Sequence, residues 1–349
     1  VCIEKANKKM LRRIVGVPQH YAWGDYTSIP SLLGRAPDGN SWAEMWFGTH
    51  HVAPAHLDTT DGPLLADIAG NMDMLVKLLA AGQPLSLQTH PNKDQAREGF
   101  ARENSAGIDI LAPKRLYRDA SDKPEILIAL TTFEALCGFQ SLDAICDVMN
   151  DMQWNEELHI VHEKGIDEYL AWCFTRSTPP DLSHAPQWLS DIASIYPHDP
   201  ALRVAPLLHH VVLSAGEAIC LPAGNLHAYI KGCGLEVMNS SDNVVRAGFT
   251  SKHIDVEELL RILDTTALAQ PVVTPDATGT YLSPSESFSV QHVIAQGPMH
   301  FDAVQHHRVI LGPLSKSASS TCDMFFIASG EAGSLDALSG DSIFVCHQL

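Results

Sequence analysis

Residues 216–230 read Gly-Glu-Ala-Ile-Cys-Leu-Pro-Ala-Gly-Asn-Leu-His-Ala-Tyr-Ile. Chemistry-bearing residues continue through Leu235-Glu236-Val237-Met238 and Ser241-Asp242-Asn243-Val244-Val245-Arg246-Ala247-Gly248 to Lys252-His253-Ile254-Asp255. Ala218 to Leu221 has the apolar run of a buried strand, and Pro222-Ala223-Gly224 has the chemistry of a tight turn. His227 and Tyr229 have the period-two spacing of one strand face. Such a turn carries His227 into the space that the strands enclose. A single histidine on a hairpin is ordinarily a core or surface residue, so its neighbours decide whether it is more.

At 349 residues the chain has room for two or three domains and a large core. Hydrophobic residues at 45% and charged ones at 18% describe an ordinary globular protein. The net charge of -18 sets the chain against nucleic acid and anionic membranes, and it makes any basic residue near a ligand conspicuous. Cysteines at 2, 137, 146, 173, 220, 233, 322 and 346 form no C-x-x-C pair, which predicts free thiols in a reducing, cytoplasmic setting. No apolar run fit for a signal peptide or a membrane span follows the basic residues Lys5 to Arg13.

Upstream, residues 1–13 read as a flexible leader and Ile14 to Trp23 as the first ordered piece. Trp23 is either strand-end packing or a stacking surface for a sugar. Trp42 to Gly48 alternates as a strand with Glu44 and Trp46 on one face, and a carboxylate beside an aromatic there indicates a polar cavity. His50 and His51 are adjacent, so a strand would point them apart and disfavour a shared metal. Two short helices are expected over 64–69 and 72–81. From Leu85 to His90, Ser86, Gln88 and His90 share a face; a merely solvated face would favour Lys, Glu or Thr. A helix over 92–104 begins near Lys93. Pro124 suits the entry to an apolar strand, where Lys123 and Glu125 point the same way. Gln88, His90, Glu125 and His227 together form a set with one negative charge, suited to a divalent ion.

From Ser141 the texture turns helical, with Ser141 as a cap and Pro179-Pro180 and Pro197 as breaks. Asp255 and Glu258 form a capping box for a helix over 256–263. Residues 267–284 read as a crossing linker, and the tail from Phe288 returns to short strands. Gly340-Asp341-Ser342-Ile343-Phe344-Val345 echoes Gly216-Glu217-Ala218-Ile219-Cys220-Leu221, a weak internal repeat. The expected fold is mainly β with a helical insert. A catalytic β domain spans 14–140 with 207–265, a helical insert domain spans 141–206, and a second, metal-free β domain spans 266–349, its completeness left open.

The spacing of Gly216, Pro222, Gly224 and His227 resembles the second metal-binding motif of the cupin superfamily, which builds jelly-roll barrels with a metal at the mouth. A generic cupin carries His-x-His and a nearby Glu; here Gln88 replaces the first His and the Glu comes only at 125. That departure resembles the type I mannose-6-phosphate isomerases. So do Gln88-Thr89-His90-Pro91, Lys123-Pro124-Glu125, Leu221-Pro222 with His227-Ala228-Tyr229, and Ser241 to Gly248. The resemblance runs from Tyr21 to Asp255, while Ser251, where that family tends to have proline, and the C-terminal region depart from it.

The resemblance implies tandem cupin-type jelly rolls plus an α-helical domain, with one Zn2+ per chain on Gln88, His90, Glu125 and His227. It implies a small-molecule sugar phosphate as partner, mannose 6-phosphate interconverted with fructose 6-phosphate on a monomer. Within that scheme Arg246 stands by the enediolate, and Glu236 and Lys123 are rival bases. Ser86, Lys93 and Lys252 are candidates for the phosphate, and Trp23, Glu44, Tyr229 and Asp242 for the rest of the substrate. Another metal-dependent cupin enzyme, such as an oxygenase, and a non-catalytic sugar-phosphate sensor stay open. An amide ligand beside Lys and Arg speaks against the first, and the conjunction of Lys123, Glu236 and Arg246 against the second.

Overall fold

The structure, a computed structural model, describes residues 10–315 and 321–349, so the expected leader lies outside it up to residue 9. Arg12 and Arg13 already belong to a strand, Arg12–Val15, which starts before the expected first ordered residue.

One long strand, His227–Asn239, organises the site. Its first half pairs with Phe133–Phe139 on one side and meets Gln88 of Leu87–Thr89 on the other. Its second half pairs with Met74–Ala81 and Glu125–Ala129. Between the halves the register shifts after Tyr229, and Gly232 takes a φ of 128°. A Cβ there would meet the Thr132 carbonyl oxygen at 2.6 Å, so the bend requires glycine. The strand thus passes from one layer into another within a ten-stranded sheet, to which Ala218–Leu221, Glu44–Phe47, Val17–Gln19, Leu208–Leu213 and Val245–Gly248 also belong.

Met74–Ala81 corrects the helix expected over 72–81. All eight of its residues are buried because both faces are covered. Met74, Val76, Leu78 and Ala80 pack in a core shared with Phe288, Val309, Phe326 and Phe344, while Leu79 and Ala81 face the interior with Phe133 and Tyr229. A strand covered on both sides has no solvated face, so its apolar run carries no period-two signature. The helix expected over 64–69 is a single turn, Ala66–Ala69.

The region expected to be helical holds Leu142–Asp151, Asn155–Cys173 and Gln187–Ile195, the second interrupted at Gly165. Ser141 accepts from the Ala144 N–H, as its position predicts. Ile145, Met149, Val161, Leu170 and Leu189 share one core with Phe139, Val245 and Phe249, so these helices pack directly on the sheet that carries the site. Lys93–Ser105 starts on a full capping box between Asn92 and Gln95. For Val256–Ile262 the box is half made: Asp255 accepts from the Glu258 N–H, but the Glu258 carboxylate instead takes Arg261, Arg102 and Tyr117.

The other large sheet runs Phe288–Ile294, Ser342–Gln348, Arg308–Leu314, Asp323–Ile327, Arg12–Val15, His56–Leu57. Two N-terminal strands therefore complete a sheet otherwise made after residue 287, and the expected division at 266 does not cut it cleanly. Gly216 and Gly340, which open the echoed stretches, have φ of 91° and 97°, and a strand follows each. Among the described residues no helix is long and apolar enough to cross a membrane.

Candidate active site

The turn read from sequence puts His227 in place. Gly224 has a φ of 80°, and its N–H donates to the His90 carbonyl at 2.8 Å, tying the turn to the neighbouring strand end. His227 is paired in register with Gln88, and Gln88 with Arg246 on the next strand, so three expected residues form one row across the sheet. Glu125 enters from another strand, opposite Met238 and Leu221.

His90, Glu125 and His227 are all buried, and the atoms they could offer a metal lie within 4.8 Å of one another. His90 Nε2 is 3.5 Å from one Glu125 oxygen and His227 Nε2 is 3.6 Å from the other. His90 Nδ1 is turned to the Asn243 carbonyl at 2.7 Å and His227 Nδ1 to the Asn225 carbonyl at 3.0 Å. Those bonds hold the proton on Nδ1 and leave Nε2 as a lone-pair donor. Both Nε2 atoms and Glu125 Oε2 are buried without a hydrogen-bond partner. Buried polar atoms left unsatisfied and aimed at one another cost free energy, and a divalent cation relieves it. Burial keeps both imidazoles neutral, with the His227 pKa lowered to about 4 and that of His90 also lowered. Burial alone would raise Glu125, but the Lys123 ammonium, 3.1 Å away, holds it well below the carboxylate range. The Gln88 carbonyl accepts from Ser86 Oγ at 3.0 Å and keeps a second lone pair.

In front of this centre opens a cavity of about 950 Å³. Its wall includes Trp23, Glu44, Ser86, Gln88, Lys123, Asp242, Arg246 and Lys252 from the expected set. Trp23 stacks with Tyr21 at 5.7 Å, and Glu44 accepts from the Trp46 indole at 2.7 Å. Asp242 is backed by His50 Nε2 at 3.3 Å.

Three expected contacts are placed elsewhere. Lys93 is exposed at the first position of its helix and is absent from the cavity wall. Tyr229 and Glu236 are buried and do not line the wall either. The Tyr229 hydroxyl donates to Glu236 Oε1 at 3.0 Å, and Lys77 Nζ donates to Oε2 at 2.8 Å. Burial raises the Glu236 pKa against the pull of Lys77, with repulsion from Glu125 and Glu44 adding to the rise.

Three basic wall residues escape the sequence reading. Lys77 is buried between Glu236 and Glu44, 5.2 Å from the Trp46 ring centroid. Burial alone would lower its pKa, but the carboxylates of Glu236, Glu44 and Glu125 raise it and keep it charged. Arg115 is committed to the protein itself, with its Nε 2.9 Å from Glu103 and a second bond to the Ile108 carbonyl. Arg118 stands on an irregular stretch with no periodicity to mark it. The one available signal is a lone lysine at 77 inside an apolar run.

The catalytic-domain model of the type I phosphomannose isomerases matches residues 11–142. The mannose-6-phosphate isomerase of Escherichia coli (strain K12) is 33% identical over 288 residues, 72% of this chain and 74% of that one. Among solved structures, a zinc-bound holo mannose 6-phosphate isomerase matches with a TM-score of 0.83 at 27% identity, over 97% of this chain and 100% of the other. The Salmonella typhimurium mannose 6-phosphate isomerase bound to substrate (f6p) and zinc matches with a TM-score of 0.82 at 27% identity, again over 97% and 100%. With that coverage added to the buried, unsatisfied trio behind a cation-lined cavity, the chain belongs to the type I mannose-6-phosphate isomerase family.

Proposed function

We propose that the chain is a zinc-dependent aldose–ketose isomerase that interconverts mannose 6-phosphate and fructose 6-phosphate through an enediol, on two cupin-type jelly rolls with a helical insert domain. The observation that carries the reading is the buried trio His90, Glu125 and His227, with unsatisfied atoms converging behind a cavity lined by cations. Gln88, in register with His227, completes the ligand set. A zinc ion held there supplies Lewis acidity and fixed positive charge beside the sugar oxygens.

The forward step removes a proton from C2 and leaves its electron pair in the new C1–C2 double bond, while the C1 carbonyl oxygen takes up a proton to complete the enediol. A proton then returns to C1 as the O2 hydroxyl proton departs, giving the ketose. Lys123 lines the cavity and Glu236 does not, which supports Lys123 as the group that meets the moving proton. Glu236 then holds Lys77 and Tyr229 in place behind it. Arg246, one strand from Gln88, offers its permanent charge to the developing enediolate. All five of Ser86, Lys252, Trp23, Glu44 and Asp242 line the cavity, which supports the first two as phosphate contacts and the other three as sugar contacts. The seven described cysteines are all free, which supports a reducing, cytoplasmic setting, and a monomeric enzyme is part of the same proposal.

The test is a coupled assay on mannose 6-phosphate, with and without a chelator. Turnover that a chelator stops and zinc restores is expected; no turnover, or turnover indifferent to the chelator, rejects the reading. Run in deuterated water, the same conversion should place deuterium at C1 of fructose 6-phosphate. Complete retention of the substrate hydrogen, also in a slowed Lys123→Ala variant, would instead indicate a hydride shift.

A further inference from the structure

Arg118 belongs to no motif, yet it lines the cavity with Arg246 and Lys252. Burial lowers the pKa of Arg246 and of Lys252; the charge of Arg118 lowers Arg246 further, and Arg246 and then Arg118 lower Lys252 against a smaller opposing pull from Glu44. Among the described residues none of these three side chains has a carboxylate within 4.0 Å. Three cations without a carboxylate partner, gathered on one wall of a chain with net charge -18, repel one another, and a bound anion would offset that repulsion. A phosphate monoester suits Arg118 and Lys252, with Arg246 kept for the enediolate: the planar fork of Arg118 can donate two bonds to phosphate oxygens, which a carbohydrate hydroxyl cannot match in charge.

The mount of Arg118 is equally specific. Asn243 is fully buried, and its Oδ1 accepts from the Arg118 N–H at 2.7 Å and the Asp119 N–H at 3.2 Å. Its Nδ2 donates to the Asp119 carbonyl at 3.0 Å, to Asp119 Oδ1 at 3.1 Å and to the Ser121 carbonyl at 2.8 Å. Its own main-chain carbonyl accepts from His90 Nδ1 at 2.7 Å. One residue therefore orients an imidazole of the buried trio and sets the backbone from which Arg118 projects. Only an amide can serve here, since the side chain must accept on one side and donate on the other.

We propose that Arg118 is a specificity-determining residue for the phosphate of the substrate, and that Asn243 is the positioning residue that keeps it in register with His90. The proposal rests on the sugar-phosphate reading of the same cavity.

Steady-state kinetics on mannose 6-phosphate and calorimetric binding of inorganic phosphate, both with the zinc-loaded protein, test it. Arg118→Met should raise KM and weaken phosphate binding by about 10–100-fold, the range for one charge-assisted contact, with a much smaller fall in kcat. Asn243→Asp turns a donor into a carboxylate facing Asp119 and should weaken phosphate binding in the same direction. In the double variant the losses should not add, because Asn243 acts through Arg118. Exchanging the pair, Asn243→Asp with Asp119→Asn, restores a donor and should recover part of the binding.

Should Asn243→Asp fail to fold, Asn243→Ser carries the same comparison. Unchanged KM and phosphate binding in Arg118→Met overturn the assignment while leaving the isomerase standing. Additive losses overturn the role of Asn243. A wild-type protein that does not turn over mannose 6-phosphate overturns the functional reading itself, and the proposal with it.

Discussion

Lys77 and Glu236 stand directly opposite each other on paired strands, and Lys77 Nζ meets Glu236 Oε2 at 2.8 Å with both side chains buried. Glu44 lies 3.8 Å from the same Nζ, so one ammonium at the cavity wall serves two buried carboxylates. Removing one member of such a group is far more damaging than its net contribution suggests, because the partners keep their desolvation cost and lose their counter-charge.

Lys77→Met should therefore destabilise the fold by about 3–5 kcal/mol and remove most activity. Glu236→Gln, whose one carbonyl oxygen can still accept from Lys77 while its amide N–H donates to a turned Tyr229 hydroxyl, should cost only about 1–2 kcal/mol. Urea unfolding of the two variants checks the order. Equal losses would mean that the pair is not the electrostatic unit described.

His227→Ala should lose both the metal and activity. One ligand of the buried set disappears, and Glu125 is left facing one imidazole fewer. Elemental analysis of the purified variant is the check, and stoichiometric zinc in it would disprove the ligand set.

Arg246→Ala should lower kcat by about 10²–10³-fold with a modest change in KM, the pattern of a charge partner used in the transition state. Arg246→Lys should rescue poorly, since an ammonium lacks the planar fork. A steep rise in KM at unchanged kcat would move Arg246 to the phosphate.

The His227 pKa falls from 6.5 to about 4 in the metal-free fold, which gives a pH dependence with a definite sign. Between those values the unfolded chain binds more protons than the folded one, so stability rises with pH across the window and is lost as pH falls through it. His90 shifts in the same direction. Metal-free protein should show a melting temperature that is flat above about pH 7 and declines below it. His227→Asn, which cannot titrate, should flatten part of that decline.

What can be read in the sequence follows from how local each signal is. The turn at Pro222 to Gly224 and the row of Ser86, Gln88 and His90 are legible because turn chemistry and alternation are properties of a few adjacent residues. Lys77 is hidden because its strand is covered on both faces and mimics a helix in composition. Tyr229 sits on the expected strand, yet depth is set by what packs in front of it, and no pattern along the chain encodes that. Lys93 is attractive as a cation near His90 in sequence, but it sits exposed at the start of its helix, a position open to any polar residue. The pairing of Arg12–Val15 with Asp323–Ile327 joins opposite ends of the chain, and composition carries no trace of it.

The continuity of His227–Asn239 makes the distance between two chemical centres a matter of counting. His227 belongs to the buried trio and Glu236 to the buried charge group, and both hang from one unbroken backbone with a single bend at Gly232. Side chains alternate along a strand, so adding or deleting one residue between the bend and Glu236 would turn that carboxylate to the outer core and bring an apolar side chain to Lys77. The strand therefore acts as a ruler with fixed graduations. Its side chains can be exchanged one at a time, but its length is not adjustable.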